Sequence, residues 1–294
     1  MSVSRIRTSV TVTGHTQMVG LLGWPVEHTI SPAMHNAAFA ALGMDWCYVP
    51  FAVPPARLKE ALRGVSALGL RGMNATVPHK QALVHLVDEL SPEARAIGAV
   101  NTLLMGDKIR GHNTDASGFL RALSEAHMSE ADTALILGAG GAARAVGYAL
   151  LSRGTRLVIL NRTGERATAL ASDLRKALPG PQVDASVLRP ETLAACAPRV
   201  DLIVNTTIVG MSPQAGECPW PPEVAYPGSV PLFDLIYTPR ETRLMALARQ
   251  SGARAANGLG MLVHQGAEAF RLWTGTEPPV DAMREACQDA LEEG

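Results

Sequence analysis

The run Gly138-Ala139-Gly140-Gly141-Ala142-Ala143 most narrows what this chain can become, because of what stands on either side of it. Residues 133–137 (TALIL) form a short apolar run of strand length. A helical stretch follows the glycines to Arg153, and 156–160 is a second apolar run. Strand, glycine turn, helix and second strand make a βαβ unit, and the turn fits G-x-G-x-x-G/A with Ala143 at the third position. Gly138 permits the tight turn, Gly140 lets a pyrophosphate approach the backbone, and Ala143 allows close packing of helix on strand. Gly141 and Ala142 open the helix, whose unpaired N–H groups point at phosphate. The end of the second strand selects the nucleotide. An acid there binds the ribose 2′-OH of NAD, whereas an arginine suits the 2′-phosphate of NADP. Here the chain reads Asn161-Arg162-Thr163, with Arg166 a turn later and no carboxylate at the strand end. Arg162 and Arg166 can close on one phosphate while Thr163 adds a hydroxyl, so NADP is the expected cofactor. The plainer alternative is two solvated arginines, one paired with Glu165.

Other apolar runs extend the α/β pattern in both directions. Strands are expected at 18–22, 46–53, 72–77, 202–205 and 232–236, with a strand pair at 99–104 and 108–112 around the Gly106-Asp107 turn. Helices are expected from Ser31-Pro32 to near Gly43, over 58–68, over 78–90 and again after Gly258. Ser31 is read as the first helix's N-cap and Pro32 as its first residue. The chain's 294 residues suffice for two ordinary domains.

Composition removes several function classes. The chain is 47% hydrophobic and 18% charged with a formal net charge of -1, a globular balance with no basic field for nucleic acid. No apolar stretch is long enough to span a bilayer. The first ten to sixteen residues read as a leader without the apolar core of a signal peptide, which makes the cytoplasm the expected location. Cys47, Cys196, Cys218 and Cys287 are scattered, and the eight histidines form no H-E-x-x-H pattern, so neither a disulfide frame nor a metal site is expected.

Two charged residues precede the nucleotide loop, Lys80 in Met73-Asn74-Ala75-Thr76-Val77-Pro78-His79-Lys80 and Asp115 in Gly111-His112-Asn113-Thr114-Asp115. Dinucleotide enzymes more often open with the glycine loop, so this chain is expected to build a substrate site first. Lys80, in the first turn of the helix expected at 78–90, would meet the positive helix end. That field disfavours a cation by roughly 0.3–1 kcal/mol and suits a proton donor. The competing reading is a surface lysine turned to water.

Eight ordered runs together resemble the shikimate dehydrogenase family: GWPVEHTISPAMHNAAF, MNATVPHK, IGAVNTL, GHNTDASGF, GAGGAARA, NRT, DLIYTPRETRLMALARQSG and GLGMLVHQGAEAFRLWTG. The resemblance implies an N-terminal α/β substrate domain at 17–117, a Rossmann-type NADP-binding domain at 118–257, and C-terminal helices at 258–294 returning to the substrate domain. It implies reversible, NADP-linked reduction of 3-dehydroshikimate to shikimate, with Lys80 and Asp115 as the catalytic pair. Thr29 and Ser31 match the hydroxyls that hold the substrate carboxylate, and Tyr237 a position near it. Asn74, Thr76, Asn101 and Gln265 match contacts to the ring hydroxyls; Gly258 and Met261 match positions near the nicotinamide. Structural roles compete at several: Thr76 as a cap, Asn101 as a turn pin, Met261 as core. The chain departs from the family pattern at Thr29 (commonly Ser), Ala75 (commonly Val) and Thr206-Thr207-Ile208, where Ala-Thr-Ser is usual. These leave the chemistry intact and bear on substrate preference; the alternatives are a quinate dehydrogenase using NAD or NADP and, separately, a non-catalytic ligand-binding regulator. A monomer or homodimer acting on a small molecule is expected.

Overall fold

The computed structural model describes residues 11–180 and 182–293. In chain order its elements are β1 (Gln17–Gly23), α1 (Ser31–Ala41), β2 (Trp46–Ala52), α2 (Leu58–Ala67), β3 (Gly72–Ala75), β4 (Glu89–Leu90), α3 (Pro92–Ile97), β5 (Thr102–Leu104), β6 (Arg110–His112), α4 (Asp115–Glu125), β7 (Thr133–Leu137), α5 (Gly141–Leu151), β8 (Arg156–Asn161), α6 (Gly164–Ala177), β9 (Val183–Val187), α7 (Pro190–Cys196), β10 (Leu202–Asn205), β11 (Leu232–Asp234), α8 (Arg243–Gln250), β12 (Ala255–Ala256), α9 (Leu259–Thr274) and α10 (Val280–Glu293). They build two six-stranded sheets, ordered β2-β1-β3-β5-β6-β4 and β12-β11-β10-β7-β8-β9.

The chain divides into two compact units. One holds the residues up to Glu89, Val100–His112 and those from Gly266 on; the other holds Leu90–Ala99 and Asn113–Gln265. The sequence reading placed the changeovers at 117/118 and 257/258. In the structure they fall at 112/113 and 265/266, and residues 90–99 join the second unit. Ile97, Ala99 and Ala116, and beyond 257 Met261, are buried in the second unit's core, which draws α3, the start of α4 and the start of α9 into it. Of the expected leader, residues 1–10 lie outside those described, while Thr13 and Thr16 bond to Asp45.

In the first unit β1 lies parallel to both β2 and β3, and β5 and β6 run antiparallel. α10 packs on α1, and Trp273 of α9 donates from Nε1 to the Leu103 carbonyl at 3.0 Å. An aromatic cluster sits within a largely aliphatic core here. Phe39 stacks on Trp46 and Phe270, and His35 lies on Tyr48 at 4.4 Å between ring centroids and 9° between planes. Both His35 ring nitrogens are buried without a hydrogen-bond partner, and burial drives its pKa from 6.5 down to about 3. The unfolded chain therefore takes up this proton first. His35's contribution to stability is full above pH 6.5 and is lost as pH falls from there toward 3, at up to about 1.4 kcal/mol per pH unit. His35→Phe, which keeps a ring in the stack, is expected to flatten the fall in denaturation midpoint over that window. An unchanged pH slope would remove His35 as its source.

The second unit has the doubly wound arrangement that its βαβ pattern implied, with every strand pair parallel. Alternate residues of β7 serve opposite faces, as the period of a strand requires. Ala134 and Ile136 pack with α5 and α6, while Leu135 and Leu137 pack with α8 and the rings of Trp220 and Tyr226. Those rings, 4.9 Å apart, sit on the 206–231 connection, which crosses from β10 to β11 without an α-helix.

One expected element is absent. Residues 78–90 are not an α-helix but a turn, a 3-10 segment at Ala82–His85 and the short strand β4. The backbone bonds explain the change. In an α-helix the Lys80 carbonyl would accept from Val84 N–H, but here it takes Val100 N–H at 2.8 Å and Val84 turns to Gln81. Lys80 thus stands in a turn, and the helix-field argument for it lapses.

Candidate active site

The glycine loop has the geometry its sequence called for. Gly138 has φ +109, and a Cβ there would lie 2.6 Å from Thr206 Oγ1, so both conformation and space demand glycine. Gly140 is the N-cap of α5 and has nothing within 4 Å of where its Cβ would be, an open approach for a phosphate. Gly141 and Ala142 form the first turn of α5, and Ala143 is buried against the sheet. At the end of β8, Asn161 Nδ2 donates to the Thr163 carbonyl at 2.9 Å and fixes the turn into α6. Arg162, Thr163 and Arg166 are exposed there. Backbone donors, open space and two exposed guanidinium groups fit a nucleotide bearing an extra phosphate.

The first unit gathers five of the expected residues where β1 and β3 end. Thr29 Oγ1 donates to Ser31 Oγ at 3.2 Å, and Ser31 N–H donates back to Thr29 Oγ1 at 3.3 Å. The helix start differs from the expectation by one residue: Ile30 is the N-cap with no side-chain cap, Ser31 is helical, and its hydroxyl faces Thr29. Asn74 is buried at β3, where Oδ1 accepts from Tyr48 OH at 3.0 Å and Nδ2 donates to Thr102 Oγ1 at 3.1 Å. Thr102 Oγ1 donates in turn to Asn101 Oδ1 at 3.1 Å, so one chain of bonds orients both amides. Thr76 N–H meets the Leu22 carbonyl at the end of β1, and no α-helix follows for it to cap. Lys80 is half-buried beside this group, its carbonyl tied next to Asn101 through Val100. His79, fully buried, anchors the same turn through Nε2 on the Val53 carbonyl at 2.8 Å. Burial lowers the His79 pKa, opposed by that bond.

In the second unit Asp115 is the first residue of α4, where the positive helix end favours a carboxylate. Its N–H donates to Asn113 Oδ1 at 3.0 Å, and Asn113 Nδ2 holds the Ala99 carbonyl at 2.9 Å. One turn on, a Cβ at Gly118 would lie 2.7 Å from Gln265 N, so α4 and α9 meet at bare backbone and bring Asp115 and Gln265 into one neighbourhood. Gly118→Ala is expected to destabilise by about 1–3 kcal/mol through overpacking, read as a lower denaturation midpoint; an unchanged midpoint would show that the helices part freely. Gln265 Nε2 donates to the Leu262 carbonyl at 2.9 Å. Gly258 N–H bonds the Ile236 carbonyl at 3.1 Å, one residue before half-buried Tyr237, and the Leu235 carbonyl leaves no room for a side chain at 258. Met261 is buried in the second unit's core cluster. Tyr48, Thr102, Gly118, Asn205 and Asp234 carry no functional expectation from the sequence, although Asn205 ends one apolar run and Asp234 interrupts another where a buried strand favours apolar residues.

A glycine loop on a doubly wound parallel sheet, with a separate α/β unit rich in buried amides and hydroxyls, defines a two-unit dinucleotide-fold protein. Three family models match it: the shikimate dehydrogenase substrate binding domain over residues 21–103, shikimate / quinate 5-dehydrogenase over 121–210, and the shikimate 5′-dehydrogenase C-terminal domain over 258–288. A shikimate dehydrogenase (NADP+) of Moorella thermoacetica is 50% identical over 96% of each chain. The structure of a Thermus thermophilus shikimate 5-dehydrogenase in complex with NADP(H) and shikimate is 40% identical with a TM-score of 0.82, over 94% of this chain and 100% of that one. A quinate dehydrogenase from Corynebacterium glutamicum in complex with NAD is 34% identical with a TM-score of 0.83, over 93% and 99%. This chain belongs to the shikimate dehydrogenase family.

Proposed function

We propose that the protein is an NADP-dependent shikimate dehydrogenase, catalysing the reversible reduction of 3-dehydroshikimate to shikimate in aromatic amino-acid biosynthesis. The observation that carries this reading is the pairing of the Asn74–Thr102–Asn101 network with a glycine loop followed by Arg162 and Arg166. Bound NADPH would supply the hydride; the remaining work falls to the chain's own residues. Lys80 delivers a proton to the ketone oxygen as charge develops there, and Asp115 accepts from a ring hydroxyl. The Thr29 and Ser31 hydroxyls, with Tyr237, receive the substrate carboxylate. Asn74, Thr76, Asn101 and Gln265 divide the ring hydroxyls among amide and hydroxyl partners. Gly138, Gly140, Gly141, Ala142 and Ala143 take the pyrophosphate, Asn161, Arg162, Thr163 and Arg166 the adenosine end, and Gly258 and Met261 the nicotinamide end. We place the enzyme in the cytoplasm as a monomer or homodimer; no helix among the described residues is long and apolar enough to cross a membrane. Incubation with 3-dehydroshikimate and NADPH is expected to consume both one for one with shikimate as product. Unchanged substrates would count against the reading. Quinate is the second reading, favoured by the likeness to the Corynebacterium enzyme and by the methyl that Thr29 adds beside the carboxylate site.

A further inference from the structure

We infer that Asp234 is a positioning residue for the nicotinamide end of the nucleotide site: its carboxylate, acting with the Asn205 amide, sets the backbone that follows β10 and β11. The inference rests on the NADP-dependent reading above. Asn205 and Asp234 are the last residues of neighbouring parallel strands, and neither is exposed at all. A buried carboxylate is costly unless donors surround it, and here they do. Oδ1 accepts from Asn205 Nδ2 at 2.9 Å and Ile236 N–H at 3.1 Å, and Oδ2 accepts from Thr242 Oγ1 at 2.7 Å. Burial pushes the Asp234 pKa up while these three donors pull it back.

The charge has a directional effect. An ionised carboxylate only accepts, so it admits Asn205 in one orientation, with Nδ2 toward Asp234 and Oδ1 away. That Oδ1 then takes Thr207 N–H at 3.0 Å and Thr207 Oγ1 at 2.8 Å. Thr206, held between them, reaches the Leu137 carbonyl from Oγ1 at 2.7 Å and stands over Gly138 of the nucleotide loop. On the other side, Ile236 is tied to Asp234 through its N–H and to Gly258 through its carbonyl, directly before Tyr237. Thr242 completes the frame by capping α8, accepting from Met245 N–H at 3.1 Å. One carboxylate therefore sets the chain at 206–207, 235–237 and 258. An apolar pair would often stabilise such a site equally or better, which points to geometry as what the buried charge provides.

The test is Asp234→Asn in the full chain, compared with Leu193→Val, a core change on α7 in the same unit. Asparagine keeps the shape but offers an N–H₂ that lets the Asn205 amide turn over. Titration calorimetry with NADP, well below the denaturation midpoint of each variant, is expected to show Kd raised about tenfold for Asp234→Asn. Leu193→Val should lower the midpoint comparably and leave Kd at the wild-type value. Thr242→Val, which removes one donor and no charge, should move Kd in the same direction as Asp234→Asn and covers the case in which that variant does not fold. Wild-type Kd and kcat in Asp234→Asn or Thr242→Val, with only the midpoint lowered, would reduce Asp234 to a structural residue and overturn the inference. Loss of the functional reading would look different: the wild-type protein itself would fail to turn over shikimate with NADP.

Discussion

Lys80→Ala is expected to lower kcat by about 10²- to 10⁴-fold while leaving the affinity for NADP nearly unchanged. The turn that carries Lys80 should survive the change. It is held by main-chain bonds, His79 N–H on the Thr76 carbonyl and Val100 N–H on the Lys80 carbonyl, and by the buried His79 ring. None of these uses the ammonium. The glycine loop draws its own geometry from Thr206 and the end of β7, so nucleotide binding has no reason to follow. Lys80→Arg separates the two services the lysine could give, because a guanidinium keeps the charge but does not release a proton near neutrality. A loss as deep as that of alanine would assign proton delivery to Lys80. A rate near wild type in Lys80→Arg would leave only its charge in the mechanism. A small loss in both would remove Lys80 from it.

The second large effect is expected at the adenosine end. Replacing Arg162 and Arg166 together by alanine should raise Kd and KM for NADP by roughly ten- to hundredfold each arginine, with NAD little affected. Both side chains are exposed, beyond the end of β8 and in the first turn of α6, and Asn161 fixes the turn between them. Their removal takes nothing from the core, so the denaturation midpoint should hold. Because the binding is charge-assisted at an exposed site, the wild-type preference for NADP should also weaken as salt is raised. An equal loss for NAD would mean that the arginines shape the loop rather than read the 2′-phosphate.

Much of the second unit was legible because its signals are local. β7, the glycine loop, α5 and β8 follow one another directly along the chain, and each has its own apolar period or turn chemistry. Lys80 shows the opposite case. Residues 78–90 carry helix-compatible residues, yet the Lys80 carbonyl pairs with the distant Val100, and a local reading of the sequence has no access to that bond. Ser31 differs from its expected place by one position for a local reason, since the nearby Thr29 hydroxyl takes its N–H and Ile30 becomes the N-cap. The residues proposed to bind the substrate are visible only through the eight-run resemblance. Asn74 and Asn101 have no local mark; Asn74 is oriented by Tyr48 and Thr102 from other strands, and Thr102 links it to the adjacent Asn101. Asp234 left a trace, an acid interrupting the apolar run at 232–236, but its partners include residues from β10 and the start of α8.

The most direct check is a steady-state assay of nicotinamide absorbance with the purified protein, crossing shikimate and quinate with NADP and NAD. The expected result is turnover predominantly with shikimate and NADP, with kcat/KM at least about tenfold above every other combination; the absent acid at the end of β8 accounts for the preference for NADP over NAD. Turnover led by quinate or by NAD, or none at all from folded protein, would contradict it.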